Sequence, residues 1–341
     1  MSNLEVKPPE TELVDPAESE TTPPIVRPDA TGFELLTPRD VPLGGPRAME
    51  VRRTLPQRAR SLIGAWCFVD HYGPDAVART GGMVVPPHPH TGLQTVSWLF
   101  AGEVEHRDSS GAHAMVRPGE LNLMTAGRGI QHSEVSTTDT TTLHGAQLWV
   151  ALPDATRHSE PHFEHYAPPA MEVRATGAGD AATVRVFLGS LAGSVSPVIT
   201  YSPLVGAQLD IPAETSITLD IDAGFEHGIL LDAGELSADG NDIPIGDLAY
   251  FSTGRTTLTL TAGASAVRAL LIGGAPLGER IVMWWNFIGR THDEVVAYRS
   301  QWQSEVIGDA TRTGRFGHVD GYDGPALPAP VLPNVRLRPR D

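Results

Sequence analysis

The chain has 341 residues, a formal charge of −16 and a single cysteine; aromatics make up only 6% of it, whereas Gly (35) and Pro (29) are abundant. That acid balance excludes a surface for nucleic acid, which needs clustered Lys and Arg to displace counterions, and no apolar run approaches the roughly 20 residues of a membrane-spanning helix. The length suits two domains with cores of their own, the N-terminus lacks a basic and apolar leader and predicts a cytoplasmic protein, and Cys67, inside the run Ala65-Trp66-Cys67-Phe68-Val69, reads as a small buried hydrophobe rather than a reactive thiol.

Residues 1–30 are rich in Glu, Pro and Thr and poor in large apolar side chains. They cannot bury enough surface to offset their ordering entropy and are predicted to be a disordered or loosely draped extension. Ser61 to Asp70 then reads as a buried strand, closed by turn chemistry at His71-Tyr72-Gly73-Pro74. From Leu93 onward strands and turns alternate at short intervals. Gln94 to Phe100 and Val104 to Asp108 are strands, separated by Ala101-Gly102-Glu103; Ser109-Ser110-Gly111 and Arg117-Pro118-Gly119-Glu120 are turns; Leu121 to Met124 is a strand, and Thr125 to Gly129 leads into Ile130. Many short strands with regular turns predict an antiparallel barrel or jelly roll.

The same grammar then repeats. Ala233-Gly234-Glu235-Leu236 echoes Ala101-Gly102-Glu103-Val104, Ile245-Gly246-Asp247-Leu248 echoes Pro118-Gly119-Glu120-Leu121, and Thr253-Gly254-Arg255 echoes Ala126-Gly127-Arg128. An all-β chain of two barrels related by duplication follows: an N-terminal barrel over 31–155, a connection over 156–181, a C-terminal barrel over 182–275, and a helix with a Pro-rich tail over 276–341. Thr291-His292-Asp293-Glu294 is a capping box, and Val295, Tyr298, Arg299 and Trp302 recur at helical spacing, predicting one face packed on a barrel.

Chemistry concentrates between Met83 and Glu134. His88-Pro89-His90 opens this stretch and His132-Ser133-Glu134 closes it. Residues two apart on a strand share a face, so each end offers a two-pronged pair, and folding can join His88, His90, His132 and Glu134 into three imidazoles and a carboxylate. That set suits iron, manganese, nickel, copper or zinc. The second barrel keeps one histidine, His227, without a partner at that spacing, and is predicted to be structural. The remaining histidines, His106, His113, His144, His158, His162, His165, His292 and His318, read as ordinary surface or core residues. Gly127-Arg128-Gly129 reads as a tight turn, with Arg128 a candidate partner for the Glu134 carboxylate. From strand alternation, Leu93, Trp98, Leu123 and Met124 are expected to face the site.

His88-Pro89-His90-Thr91-Gly92, the run from Met124 to Glu134, and Pro276 to Phe287 resemble the pirin family of the cupin superfamily from about Phe33 to the tail. The resemblance implies a tandem of two cupin jelly-roll barrels, one Fe(II) in the N-terminal barrel on the residues matching His88, His90, His132 and Glu134, and the activity of members that cleave the flavonol quercetin with dioxygen. The substrate would then be a small aromatic molecule, polarised and oriented by the metal. Glu134 would be the base, with its pKa raised by an apolar barrel. Members commonly carry Arg and Glu where this chain has Thr91 and Gln94, so a charge pair beside the ligands is replaced by neutral groups. A different reading, implied by the description of mammalian pirin as a transcriptional coregulator, is a non-catalytic, redox-responsive metal-binding protein that acts on a partner protein. Deletion of residues 2–28 is expected to move the melting temperature little, because their composition forms few buried contacts; a large drop in a thermal melt would show the extension to be packed on the body.

Overall fold

The computed structural model describes residues 2–3, 13–14, 32–44, 49–177, 179–308 and 313–341. Eight strands build the first barrel: β1 (Trp66–Ala76), β2 (Val84–His90), β3 (Leu93–Ala101), β4 (Val104–Asp108), β5 (His113–Val116), β6 (Leu121–Thr125), β7 (Ile130–Ser136) and β8 (Thr142–Ala151). Eight more build the second: β9 (Leu204–Ile211), β10 (Ser216–Asp220), β11 (Glu226–Ala233), β12 (Leu236–Ala238), β13 (Asn241–Ile243), β14 (Leu248–Phe251), β15 (Thr257–Ala262) and β16 (Val267–Gly274).

In the first barrel one sheet runs β1-β8-β3-β6 and faces a second, β2-β7-β4-β5; in the second barrel β9-β16-β11-β14 faces β10-β15-β12-β13. Each strand of one barrel therefore has its counterpart eight strands later in the other, which is duplication at the level of topology. The echoing turns occupy equivalent places, and Gly102, Gly119 and Gly127 share positive φ with Gly234, Gly246 and Gly254, a conformation that carries little penalty only without a Cβ.

The chain crosses between the barrels where the sequence predicts a clean division. Residues 156–181, expected as a connection, give His162–Tyr166 to the edge beside β6 and Met171–Val173 to the second large sheet. Phe33–Leu36, placed by sequence in the first barrel, pairs instead with β14 of the second, with Phe33 opposite Phe251 and Leu36 opposite Leu248. Both segments cover sheet edges that would otherwise expose unpaired backbone groups. Of the N-terminal extension only Ser2–Asn3 and Leu13–Val14 are described, paired with residues 43–44 and 336–337; the rest of residues 1–30 lies outside the described residues.

The two interiors differ in chemistry. On β10 and β15 the inward positions are Ile217, Leu219, Leu258 and Leu260, part of a wholly apolar core. Their counterparts β2 and β7 carry His88, His90, His132 and Glu134, all buried. Back to back, the two large sheets bury a third core, in which Val96, Trp98, Leu123, Ala146, Leu148 and Val150 meet Phe187, Leu230, Leu248 and Leu270. Trp98 Nε1 crosses this seam to Gln208 (2.8 Å) and Trp66 Nε1 to the Gly273 carbonyl (3.0 Å).

Two expectations are corrected here. His71-Tyr72-Gly73-Pro74 is not a terminating turn: β1 runs through it to Ala76, with Gly73 at φ +81 and a break in register opposite His144. Pairing on both sides of β1 overrides the local turn preference. The helix His292–Trp302 is capped by Thr291, which accepts from the Glu294 amide, but its buried face of Val295, Tyr298 and Trp302 rests on the hairpin Val282–Trp284/Phe287–Gly289 and the tail rather than on a barrel. That hairpin in turn bridges back to the site through Thr91 and Phe287.

Keeping β1 as a strand puts His71 at the seam, where it meets Asp232 of β11 and His144 of β8. Asp232 Oδ1 accepts from His71 Nε2 (2.6 Å), Oδ2 accepts from Arg268 Nε (2.6 Å), and Arg52 Nη2 donates to His71 Nδ1 (3.1 Å). Burial would raise the Asp232 carboxyl, but hydrogen bonds from His144 and His71 hold it well below the carboxylate range. His71 is shifted down, chiefly by burial. The His71 shift means that the unfolded chain binds more protons than the folded one once pH falls towards and below 6.5, its ordinary value, and the Asp232 shift adds a further loss only towards 3.8, so stability is present above pH 6.5 and declines on acidification. We expect the melting temperature to fall between pH 7 and about 5, less steeply in His71→Gln. Asp232→Asn, which strands buried partners, is expected to cost about 3–5 kcal/mol in denaturant unfolding at pH 7.

Candidate metal centre

Strand register assembles the site. β7 lies between β2 and β4, so its inward residues find neighbours on both sides: His132 stands opposite His88 of β2 and Asp108 of β4, and Glu134 stands opposite His106. Directly opposed residues point to the same face. A bulge between His132 and Glu134 in the pairing with β2 shifts Glu134 to stand opposite Val85.

The ring nitrogens of His88, His90 and His132 lie within 4.8 Å of one another, and all three residues are fully buried. His88 Nδ1 donates to the Pro86 carbonyl (2.9 Å), which leaves the Nε2 lone pair buried and without a partner among the described residues. His90 Nε2 and His132 Nε2 are 3.0 Å apart, close to the about 3 Å that separates two nitrogens each bound about 2.1 Å from one ion. Burial lowers all three imidazoles, His88 to about 3, so they are neutral and ready as ligands at physiological pH. An orphaned lone pair and two converging nitrogens in a dry interior fit a transition metal and fit little else.

Glu134, expected as the fourth ligand, is buried beside this triad. Its carboxylate groups with His132 and His106, and Ser97 Oγ lies 3.4 Å from it. Burial by itself would raise its carboxyl pKa. Arg53 and Asp70 form a buried two-pronged pair (2.7 and 2.8 Å). From Arg53 a continuous stack runs over Phe68 (4.3 Å) and Trp149 (3.9 Å) to the edge of His90 (5.0 Å).

Of the predicted surrounding residues, Leu93 and Met124 share the inner cluster with Trp149 and Ile130. Trp98 and Leu123 are corrections: both belong to the seam with the second barrel, on the opposite face of their strands. Gln94 also falls on that outward face, donating to Thr125 Oγ1 (2.9 Å). Thr91 leaves β2 at the bridge to Phe287, its hydroxyl buried without a partner. Arg128 does not hold Glu134; it is exposed and paired with Glu160 (3.0 Å), because Gly127 turns the chain against Ser159, where an added Cβ would collide with the carbonyl.

His106 was missed. Its signal was His-x-Asp on a predicted strand, at the same two-residue spacing as the recognised pairs, which puts His106 and Asp108 on one face. A further group of three, His71, His144 and Asp232, also brings its ligand atoms within 4.8 Å, but its surroundings argue against a metal. Arg52 donates to His71 Nδ1 at 3.1 Å and Arg268 reaches His144 Nδ1 at 3.4 Å. A guanidinium only donates, so those Nδ1 atoms supply lone pairs and the protons sit on the Nε2 atoms that face Asp232. Metal-binding histidines need the reverse, an acceptor behind the ring.

With this geometry in view, the chain matches the family Pirin over residues 48–150 and the Pirin C-terminal cupin domain over residues 206–308. It is 43% identical over 301 residues to a Pseudomonas aeruginosa protein named "Putative quercetin 2,3-dioxygenase", covering 88% of this chain and 91% of that one. A "Pirin-like protein" of Caulobacter vibrioides is 35% identical over 288 residues, covering 82% and 94%. Among solved structures, quercetin 2,3-dioxygenase from Acinetobacter baumannii superposes with a TM-score of 0.81 at 36% identity, covering 90% of this chain and 97% of that chain.

Elemental analysis after metal loading is expected to give one equivalent per chain, abolished in His88→Ala/His132→Ala and unchanged in Asp232→Asn. Loss of metal in Asp232→Asn alone would instead place the ion at the seam between the barrels.

Proposed function

The chain belongs to the pirin family, and from that premise we propose that it is an iron-dependent dioxygenase cleaving a flavonol-type aromatic substrate. The observation that carries this reading is the contrast between two barrels of one topology, of which only the first gathers several buried imidazoles at one point, the second burying His227 alone. Iron bound there would supply Lewis acidity and one-electron chemistry towards dioxygen.

The residues of the chain have separable roles. His88, His90 and His132 would hold the metal. Glu134 takes the proton of an acidic substrate hydroxyl at its carboxylate oxygen. Ser97 gives its single hydroxyl proton to the nearer Gln147 Oε1 (2.9 Å) and lies 3.4 Å from that carboxylate, its alternative acceptor. Gln147 Nε2 and Trp149 Nε1 are buried donors without a partner on the same inner face as Ser97, and they suit the carbonyl and hydroxyl oxygens of a polyoxygenated ring. Leu93 and Met124, with the half-buried Phe163, supply apolar walls for its flat body and exclude water. Thr91 and Gln94 replace a charge pair common in the family, and the outward register of Gln94 turns its change towards the second barrel.

An oxygen electrode tests the proposal. Iron-loaded protein given quercetin is expected to consume oxygen, and Glu134→Gln to keep most of its iron while kcat falls about 10²–10⁴-fold. No oxygen uptake with iron confirmed in place would overturn the dioxygenase reading and favour a metal-dependent binding protein.

A further inference from the structure

Behind the metal triad stands a pair of residues that the dioxygenase reading does not use. His106 and Asp108 of β4 are buried on the inner face, diagonal to and opposite His132 respectively. Asp108 Oδ1 accepts from the Ser110 amide (2.8 Å), the Ser110 hydroxyl (2.6 Å) and the Ala112 amide (3.2 Å), while Oδ2 accepts from His106 Nε2 (3.0 Å). An ionised carboxylate only accepts, so the proton of His106 is on Nε2 and its Nδ1 carries a lone pair. That lone pair faces His132 Nδ1 at 3.4 Å. The ring of His106 is fixed in this orientation by stacking on Phe163, 4.8 Å between centroids and 29° between planes.

We propose that Asp108 and His106 are positioning residues that set the tautomer of His132. Asp108 orders the proton of His106, His106 accepts the Nδ1 proton of His132, and His132 is left with its Nε2 lone pair aimed at the point shared with His88 and His90. The Pro86 carbonyl does the same for His88 in one step. In the second barrel the strands equivalent to β4 and β7 carry Leu236, Ala238, Leu258 and Leu260 in an apolar core, so the relay is confined to the barrel that holds the triad. Outer partners of this kind typically change metal affinity 10–100-fold when removed. The 3.4 Å link is long for a hydrogen bond, which places the expected effect of the pair towards the lower end.

The inference rests on the metal centre, and Co²⁺ binding tests both separately because it needs no turnover. Co²⁺ affinity is measured by competition with a chelator, its d–d absorption reports the ligand geometry, and melting of the metal-free chain reports the fold. His106→Phe keeps an aromatic ring against Phe163 and removes the acceptor; a roughly tenfold or greater loss of affinity with a shifted spectrum is expected. His106→Gln returns an acceptor oxygen and is expected to recover much of that loss. Asp108→Asn, which lets the side-chain amide donate to His106 and reverse its tautomer, is expected to weaken binding several-fold even should His106→Phe fold poorly. Unchanged affinity and spectrum in His106→Phe and Asp108→Asn would overturn the proposal. So would a loss in His106→Gln equal to that in His106→Phe, since packing rather than proton order would then be responsible. Failure of the unaltered chain to bind Co²⁺ would remove the metal centre itself.

Discussion

The register of β7 between β2 and β4 is the constraint on which the site depends. Side chains alternate along a strand, so a slip of one residue would turn Gln131 and Ser133 inward and send His132 and Glu134 to the other face. The register is held from outside the site. Ile130 and Met124 fill the inner apolar cluster, Ser109 and Gln131 exchange hydrogen bonds at the end of β7 (2.9 and 3.1 Å), and the bulge before Glu134 absorbs the mismatch with β2. Precise placement of three imidazoles thus follows from ordinary sheet pairing.

Duplication explains how such an interior is tolerated. An unsatisfied buried polar group costs about 1–3 kcal/mol, and the first barrel contains several near its centre, among them His88 Nε2, Gln147 Nε2 and Trp149 Nε1. The second barrel has no such load at the equivalent strands; its Ile, Leu and Val interior is closely filled. Joined along the seam, the apolar barrel packs against the polar one. The seam is largely apolar, with its polar contacts concentrated in a few cross-links, the hydrogen bonds of Trp66 and Trp98 and the cluster around Asp232. Exchange of the edge strand Phe33–Leu36 into the second sheet ties the barrels together through the backbone as well.

The parts of this arrangement that were legible share one property: their signal is local. His88-Pro89-His90 and His132-Ser133-Glu134 could be read because a two-residue spacing needs only a strand to become a shared face. Turns could be read because glycine at positive φ leaves a mark at each one, and their repetition exposed the duplication. Where both faces of a strand are buried, the pattern loses its phase. β3 and β6 carry apolar residues on each side, so alternation could not tell Leu93 and Met124, which face the site, from Trp98 and Leu123, which face the neighbouring barrel. Arg128 looked like a partner for Glu134 by proximity in sequence alone, and the turn at Gly127 sends it to Glu160. His106 was hidden among Glu105 and Arg107, whose charges make the strand resemble a solvated one, although those charges lie on its outer face.

By itself the sequence determined the strand-rich class, the two-barrel duplication and the pairs of residues able to chelate, since each follows from backbone periodicity within a few residues. Tertiary structure alone decided which pairs meet, which barrel face each buried side chain occupies, and that Asp108, His106 and His132 form one line behind the triad. It also decided that His71, His144 and Asp232, distant in the chain, come together at the seam with arginines behind them and not as a second metal site. The physical reason is the same throughout: strand pairing joins residues far apart in sequence, and the protonation of an imidazole is set by whichever donor or acceptor that pairing places behind it.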